Sequence, residues 1–282
     1  MTRVEVNGMH LNVEIVGDGF PLLALHGFTG SAATWQPFAA SWPRYRIIAV
    51  DLIGHGASDA PTDESRYTMA HCTADLTALL DALDVERAAV LGYSMGGRVA
   101  LQFALAAPAR IAALVLESAS PGIEDASERD ARVAADRALA EDIERDGIEA
   151  FVDRWEALPT WATQAALPDA VRQQLRAQRL RNSATGLASS LRGMGAGAQE
   201  AVLGRLGELR MPVLLIAGEH DAKYRQLARD MRERIPNAQI NIVEGAGHAV
   251  HLERPGAFAP LVKEFLTTCL QQNQHPAPSA RR

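Results

Sequence analysis

The stretch Gly92-Tyr93-Ser94-Met95-Gly96 sets a serine between two glycines, and Arg98 follows that serine by four residues. A serine hydroxyl is a poor nucleophile and a poor base until a histidine takes its proton and a carboxylate orients that histidine. Two such partners lie downstream, each at the end of an apolar run: Asp221 in "PVLLIAGEHD" and His248 in "IVEGAGHAVHLERP". In this set Ser94 acts on the substrate, His248 receives its proton and Asp221 holds the imidazole in the right tautomer. Negative charge developing beside the serine needs two backbone N–H donors. Met95, next after the serine, offers one, and Phe28, in the loop after "LLALHG", offers the other. Arg98 sits one helical turn beyond Ser94 on the same face. A pocket for a simple ester needs no permanent cation there, whereas a pocket for a carboxylate does. The alternative is a guanidinium that turns away to pair with an acid elsewhere.

Such groups meet only if the elements carrying them end side by side. The runs "PLLALHGF", "RIIAVDLIGHG", "AAVLGYS", "IAALVLESAS", "PVLLIAGEHD" and "AQINIVEGAGH" are short and apolar without alternation, as expected of strands buried on both faces of a parallel sheet. Between them "MAHCTADLTALLDALDV" and "RVALQFALAAP" carry helical spacing, so strands and helices alternate in an α/β chain. "RVEVNGMHLNVEIVGDG" alternates polar and apolar residues around Asn7-Gly8, the signature of a hairpin. A strand, a Gly-x-Ser-x-Gly turn and a helix, with acid and histidine following in that order, predict the α/β-hydrolase fold: a mostly parallel central sheet with helices on both faces. Residues 1–120 and 207–270 form its core. Residues 121–206, arginine-rich and without a strand-like run, form an inserted helical cap, and residues 271–282 a disordered tail. His26 and Asp51 also end strands and are expected to hold loops together, and His251 to play a supporting part.

Composition removes several function classes. The formal net charge of −6 gives no general attraction for nucleic acid or anionic lipid. No secretory signal and no membrane-spanning apolar run is visible, so the expected location is the cytoplasm. Cys72 and Cys269 fit neither a disulfide framework nor a metal-type spacing and read as buried apolar residues. No dinucleotide loop, phosphate loop or metal cluster occurs, so neither a cofactor nor a metal is expected.

"GYSMGGR", together with "LHGFTGSAATW", "ESASPGI", "RWEALPTW", "LRAQRLRNSATGLASSLRGMGAG" and "GAGHAVHLERP", resembles the MenH family, the 2-succinyl-6-hydroxy-2,4-cyclohexadiene-1-carboxylate synthases of menaquinone biosynthesis. The likeness runs from about Pro21 to Phe265 and is greatest to the versions in Gram-positive bacteria. It implies a lyase on a hydrolase scaffold, one that eliminates pyruvate from 2-succinyl-5-enolpyruvoyl-6-hydroxy-3-cyclohexene-1-carboxylate with deprotonated Ser94 as the base. It also implies that Arg98, Arg132 and Arg179 bind the carboxylates of this small polycarboxylate, with Tyr93 and Trp155 lining the pocket. Arg129 and Arg181 compete for the roles of Arg132 and Arg179. The expected assembly is a monomer or weak homo-oligomer. The same triad would also serve a carboxylesterase or a C–C bond hydrolase acting on an anionic substrate.

Overall fold

The structure, a computed structural model, describes residues 2–274. Its N-terminal strands β1 (Thr2–Val6) and β2 (Met9–Val16) pair antiparallel, with Val6 opposite Met9. Asn7 and Gly8 both take positive φ, 47° and 79°, the backbone that a two-residue hairpin requires to match the twist of its strands. Six further strands follow: β3 (Phe20–Leu25), β4 (Tyr45–Val50), β5 (Ala88–Tyr93), β6 (Ile111–Glu117), β7 (Val213–Gly218) and β8 (Ala238–Val243). All eight join one sheet in the order β1-β2-β4-β3-β5-β6-β7-β8. The pairings from β4 to β8 are parallel. Every apolar run read as a strand is one. β8 is the half-exposed edge, where Gln239 and Asn241 interrupt the run.

Successive side chains on a strand point to opposite faces, so each central strand feeds two cores. Leu23 and Leu25 pack with Leu76 and Leu79 of α1 (Met69–Ala82) and with Val99 and Phe103 of α2 (Met95–Ala106). Leu22 and Ala24 pack on the other side with Trp35, Trp42 and Phe258. Cys72 and Cys269 are unpaired and buried, one in each core.

Between β6 and β7 the chain makes α3 (Ala126–Glu156), α4 (Asp169–Leu180) and α5 (Ala184–Met194), with 3₁₀ turns at Pro159–Ala166 and Leu203–Glu208. α3 is broken at Gly147, whose φ of 82° and ψ of 173° leave the helical region. This helical insertion has its own core of Ile143, Phe151, Leu187 and Leu191. It is tied to the sheet domain at the loop after β3: Gln178 donates to Ser31 Oγ (2.8 Å) and Asn182 to the Thr29 carbonyl (2.9 Å). Arg192 spans the two parts as well, pairing with Glu144 of α3 (2.6 Å) and with Glu64 (3.0 Å).

After β7 come α6 (Ala222–Arg234), α7 (Val250–Glu253) and α8 (Pro255–Gln274). Because α8 runs to Gln274, residues 271–274 of the expected disordered tail are helical, and its remainder lies outside the described residues. The strand order reverses between β3 and β5, since the chain leaves β3 for β4 on one side and returns to β5 on the other. In sheets of this kind the crevice at such a reversal, beyond the strand C-termini, is where ligands bind.

Candidate active site

Ser94 occupies the turn from β5 into α2 with φ 51° and ψ −108°, a conformation that L-residues rarely adopt. Its N–H donates to the Glu117 carbonyl at the end of β6 (2.8 Å). The flanking glycines make this turn possible. A Cβ at Gly92 would lie 2.3 Å from the Gly96 carbonyl oxygen, and one at Gly96 would lie 2.4 Å from the Leu25 oxygen. The serine thus stands at the N-terminus of α2, where unpaired N–H groups favour negative charge.

His248 lies in the loop after β8 and Asp221 in the first turn after β7. His248 Nδ1 is 2.6 Å from Asp221 Oδ2, and His248 Nε2 is 3.0 Å from Ser94 Oγ. The carboxylate can only accept, so Nδ1 carries the proton and Nε2 is left to accept from the serine hydroxyl. Asp221 is itself oriented by the Tyr224 N–H (3.3 Å). Across from the serine, the β3 loop brings Phe28 to the same cleft, and Thr29 takes a positive φ of 69° beside it. Among the described residues no acceptor engages the backbone N–H of Phe28 or of Met95, so both remain available to an oxyanion.

The cleft above these groups has a volume of about 260 Å³. Arg98 lines it at 9% exposure, donating to the Met194 carbonyl and to Gln199 Oε1, both at 2.7 Å. Both partners are neutral, and no carboxylate among the described residues forms an ion pair with it. Burial pulls its pKa down to about 10, which leaves it cationic at neutral pH. Arg132 lines the same cleft and is steadied by Asp136 (2.8 Å). Arg129, its competitor, instead donates to the Ile123 and Glu124 carbonyls. Tyr93 and Trp155 also line the cleft. The Tyr93 ring stands 5.5 Å from His248, and burial pushes its phenol well above the usual range.

Arg179 departs from expectation. It is buried, as a ligand residue would be, and Arg181 is exposed, but Arg179 does not line the triad's cleft. Trp161 intervenes, its ring centroid 5.7 Å from the guanidinium, and Glu156 compensates the charge at 2.9 Å. Arg179 faces an adjoining groove of about 530 Å³ on the insertion and also lines a small cavity, about 40 Å³, with Phe28, Tyr93 and Trp161 of the triad's cleft wall.

Sequence reasoning missed three groups here. Lys223 lines the cleft, and its signal was there to find: it is one of two lysines in the chain, two residues past the catalytic-type acid. Asp136, at helical spacing from Arg132, and Tyr224, 4.6 Å from the His248 ring, carried no such signal. The loop-holding parts expected of His26 and Asp51 are visible. Asp51 accepts from Ala32 N (2.6 Å) and Ala57 N (2.8 Å), and His26 Nε2 accepts from Leu52 N (3.0 Å). Among the described residues no cluster of His, Cys, Asp and Glu could hold a metal ion, and no helix is long and apolar enough to cross a membrane.

Comparison with known proteins bears on this arrangement. The model of the alpha/beta hydrolase fold matches residues 21–255. A Bacillus subtilis (strain 168) protein provisionally named 2-succinyl-6-hydroxy-2,4-cyclohexadiene-1-carboxylate synthase is 44% identical over 88% of this chain and 90% of its own length. The synthase of that name from Serratia proteamaculans (strain 568) is 32% identical over 87% of this chain and 92% of its own. The solved structure of MenH from S. aureus superposes with a TM-score of 0.88 at 34% identity, covering 93% of this chain and 99% of that one. The chain therefore belongs to the α/β-hydrolase fold family and, within it, to the 2-succinyl-6-hydroxy-2,4-cyclohexadiene-1-carboxylate synthases.

Proposed function

We propose that this enzyme is a pyruvate-eliminating lyase of menaquinone biosynthesis, converting 2-succinyl-5-enolpyruvoyl-6-hydroxy-3-cyclohexene-1-carboxylate to 2-succinyl-6-hydroxy-2,4-cyclohexadiene-1-carboxylate. The observation that carries the reading is Arg98, a buried cation one turn from Ser94 with only neutral partners. A desolvated guanidinium held this way has unspent capacity for a carboxylate, and the substrate carries three.

In this reading His248 Nε2 takes the Ser94 hydroxyl proton, and Asp221 stabilises the imidazolium that results. The serine oxyanion then removes a ring proton. The electron pair delocalises to the succinyl carbonyl oxygen, which the Phe28 and Met95 amides receive. Return of that pair expels the enolpyruvate oxygen by breaking its bond to the ring, and enolpyruvate gains a proton to become pyruvate. No acyl-enzyme forms. Arg98, Arg132 and Lys223 hold the carboxylate ends, Tyr93 and Trp155 shape the walls, and the helical insertion of residues 121–206 serves as a cap. Arg179, which shares a small cavity with Phe28, Tyr93 and Trp161, extends the site on the Trp161 side. The acidic net charge and the buried, unpaired cysteines support a cytoplasmic enzyme with a small-molecule substrate.

The test is an assay on the enolpyruvoyl precursor that follows diene absorbance and free pyruvate together. Both are expected to rise in step, and Ser94→Ala to lose about 10²–10⁴-fold, the share of a positioned base. Rapid turnover of neutral p-nitrophenyl esters with a trapped acyl-Ser94, and none of the precursor, would establish an esterase instead.

A further inference from the structure

A second imidazole–carboxylate pair stands beside the first, His251 of α7, three residues beyond His248, with Glu117 at the end of β6, and the mechanism above does not use it. His251 is 2% exposed and Glu117 fully buried. The Glu117 carboxylate accepts from His251 N (3.0 Å) and from His251 Nδ1, with both oxygens 2.9 Å from that nitrogen. A carboxylate at the end of an otherwise apolar strand is costly to bury, so its partners must be fixed in place to offset the desolvation.

What they are fixed to is the catalytic set. Glu117 uses its backbone carbonyl to hold the strained Ser94 N–H at 2.8 Å. The next residue, Ser118, is itself at a positive φ of 47° and donates its hydroxyl to the His248 carbonyl at 2.8 Å. The His251 ring packs edge-on against Tyr93, centroids 4.6 Å apart, immediately before the serine. From the far side Glu253 accepts from Gly247 N (2.6 Å) and Ala249 N (3.3 Å), the two neighbours of His248.

We infer that Glu117, Ser118 and His251 form a positioning bracket: the end of β6 grips the serine turn with one hand and the histidine loop with the other, and so sets the 3.0 Å separation of Ser94 Oγ and His248 Nε2. None of the three needs to touch substrate. The proposal rests on the triad reading above and adds the residues that hold that triad in register. A proton transfer between two side chains is steep in distance, so a small slip at either grip slows chemistry without loosening substrate binding.

The test measures kcat and KM on the precursor, the rate at which a fluorophosphonate captures Ser94, and thermal unfolding. Glu117→Ala and Ser118→Ala are each expected to lower kcat about tenfold with KM within about twofold, and to slow fluorophosphonate capture in proportion. Glu117→Gln, which keeps an acceptor for both His251 donors, recovers most of that loss. If Glu117→Ala does not fold, Ser118→Ala decides, since it deletes one hydroxyl. Wild-type kcat and capture rate in folded Ser118→Ala overturn the bracket, as does a rise in KM at constant kcat. Ser94→Ala, run beside them, separates the two failures. Pyruvate release within about tenfold of wild type in Ser94→Ala overturns the triad reading, whereas its loss by about 10²-fold or more alongside an unaffected Ser118→Ala overturns the bracket alone.

Discussion

Replacing Arg98 by methionine keeps the volume of the side chain and removes its charge and its fork of donors. In the free enzyme the guanidinium makes two hydrogen bonds, to the Met194 carbonyl and Gln199 Oε1, both neutral acceptors. Both bonds go to protein groups through one nitrogen, Nη1, so a carboxylate taken by the other nitrogens leaves them in place and they cancel from the difference between free enzyme and transition state. What is lost on the reaction coordinate is the bond to a substrate carboxylate made by the remaining N–H groups. A charged hydrogen bond of this kind contributes about 2–3 kcal/mol, and at 9% exposure solvent screens it little. At about 1.4 kcal/mol per decade this becomes a fall of about 30- to 150-fold in kcat/KM for the precursor. The assay is diene formation per folded enzyme, with folding checked by circular dichroism, and a neutral p-nitrophenyl ester as the reference substrate. The ester should change by less than about threefold, because it offers no carboxylate to the missing cation. Equal losses on the two substrates would refute the reasoning, since they would show that Arg98 supports the serine turn from within α2 and does not bind an anion. No loss on either would refute it as well.

Lys223→Met should raise KM for the precursor about twofold to fivefold at nearly constant kcat, the modest share of an exposed ammonium, as initial-rate kinetics would show. Gly96→Ala should cost about 1–3 kcal/mol of stability or more in urea unfolding and abolish the elimination, because its Cβ would sit 2.4 Å from the Leu25 carbonyl oxygen. His55 supplies a pH test: burial lowers its pKa from 6.5 to about 3. The native state therefore keeps it neutral while the unfolded chain takes up a proton below pH 6.5, so its share of stability, intact above that pH, is lost as pH falls toward about 3. His55→Asn should flatten the acid limb by up to about 1.4 kcal/mol per pH unit, measured as unfolding free energy between pH 6 and pH 4. An unchanged slope would remove His55 as a source of the acid sensitivity.

The legible and illegible parts of the chain divide along a physical line. Strands buried on both faces must be apolar throughout, and each run from "PLLALHGF" to "AQINIVEGAGH" appears as a strand in the sheet. Asn7-Gly8 was legible for the same local reason, since few residues accept two positive φ values in succession. The order of Ser94, Asp221 and His248 was legible because the serine turn demands glycines at fixed offsets. Arg98 inherits its place from that turn. Arg179 does not. Its environment is set by Glu156, 23 residues earlier, and by Trp161, and no periodicity reports on the pairing of two helices across an irregular turn. Gly147 in "ERDGIEA" breaks α3 inside a run rich in Glu, Arg and Ala, which a pattern of helical spacing overlooks. Nothing local marks Glu117 as the buried partner of His251, because 134 residues separate the two.

The reversal of strand order between β3 and β5 has a consequence for how activity arises. The groups at that crevice come from four separate strand ends, at Phe28, Ser94, Asp221 and His248, so no contiguous fragment of the polypeptide holds a working subset. A chain released before β7 would own the hydroxyl and both amide donors yet lack both acid and base. Turnover therefore reports completion of the whole sheet, and refolding followed by regained catalysis should lag refolding followed by helix content.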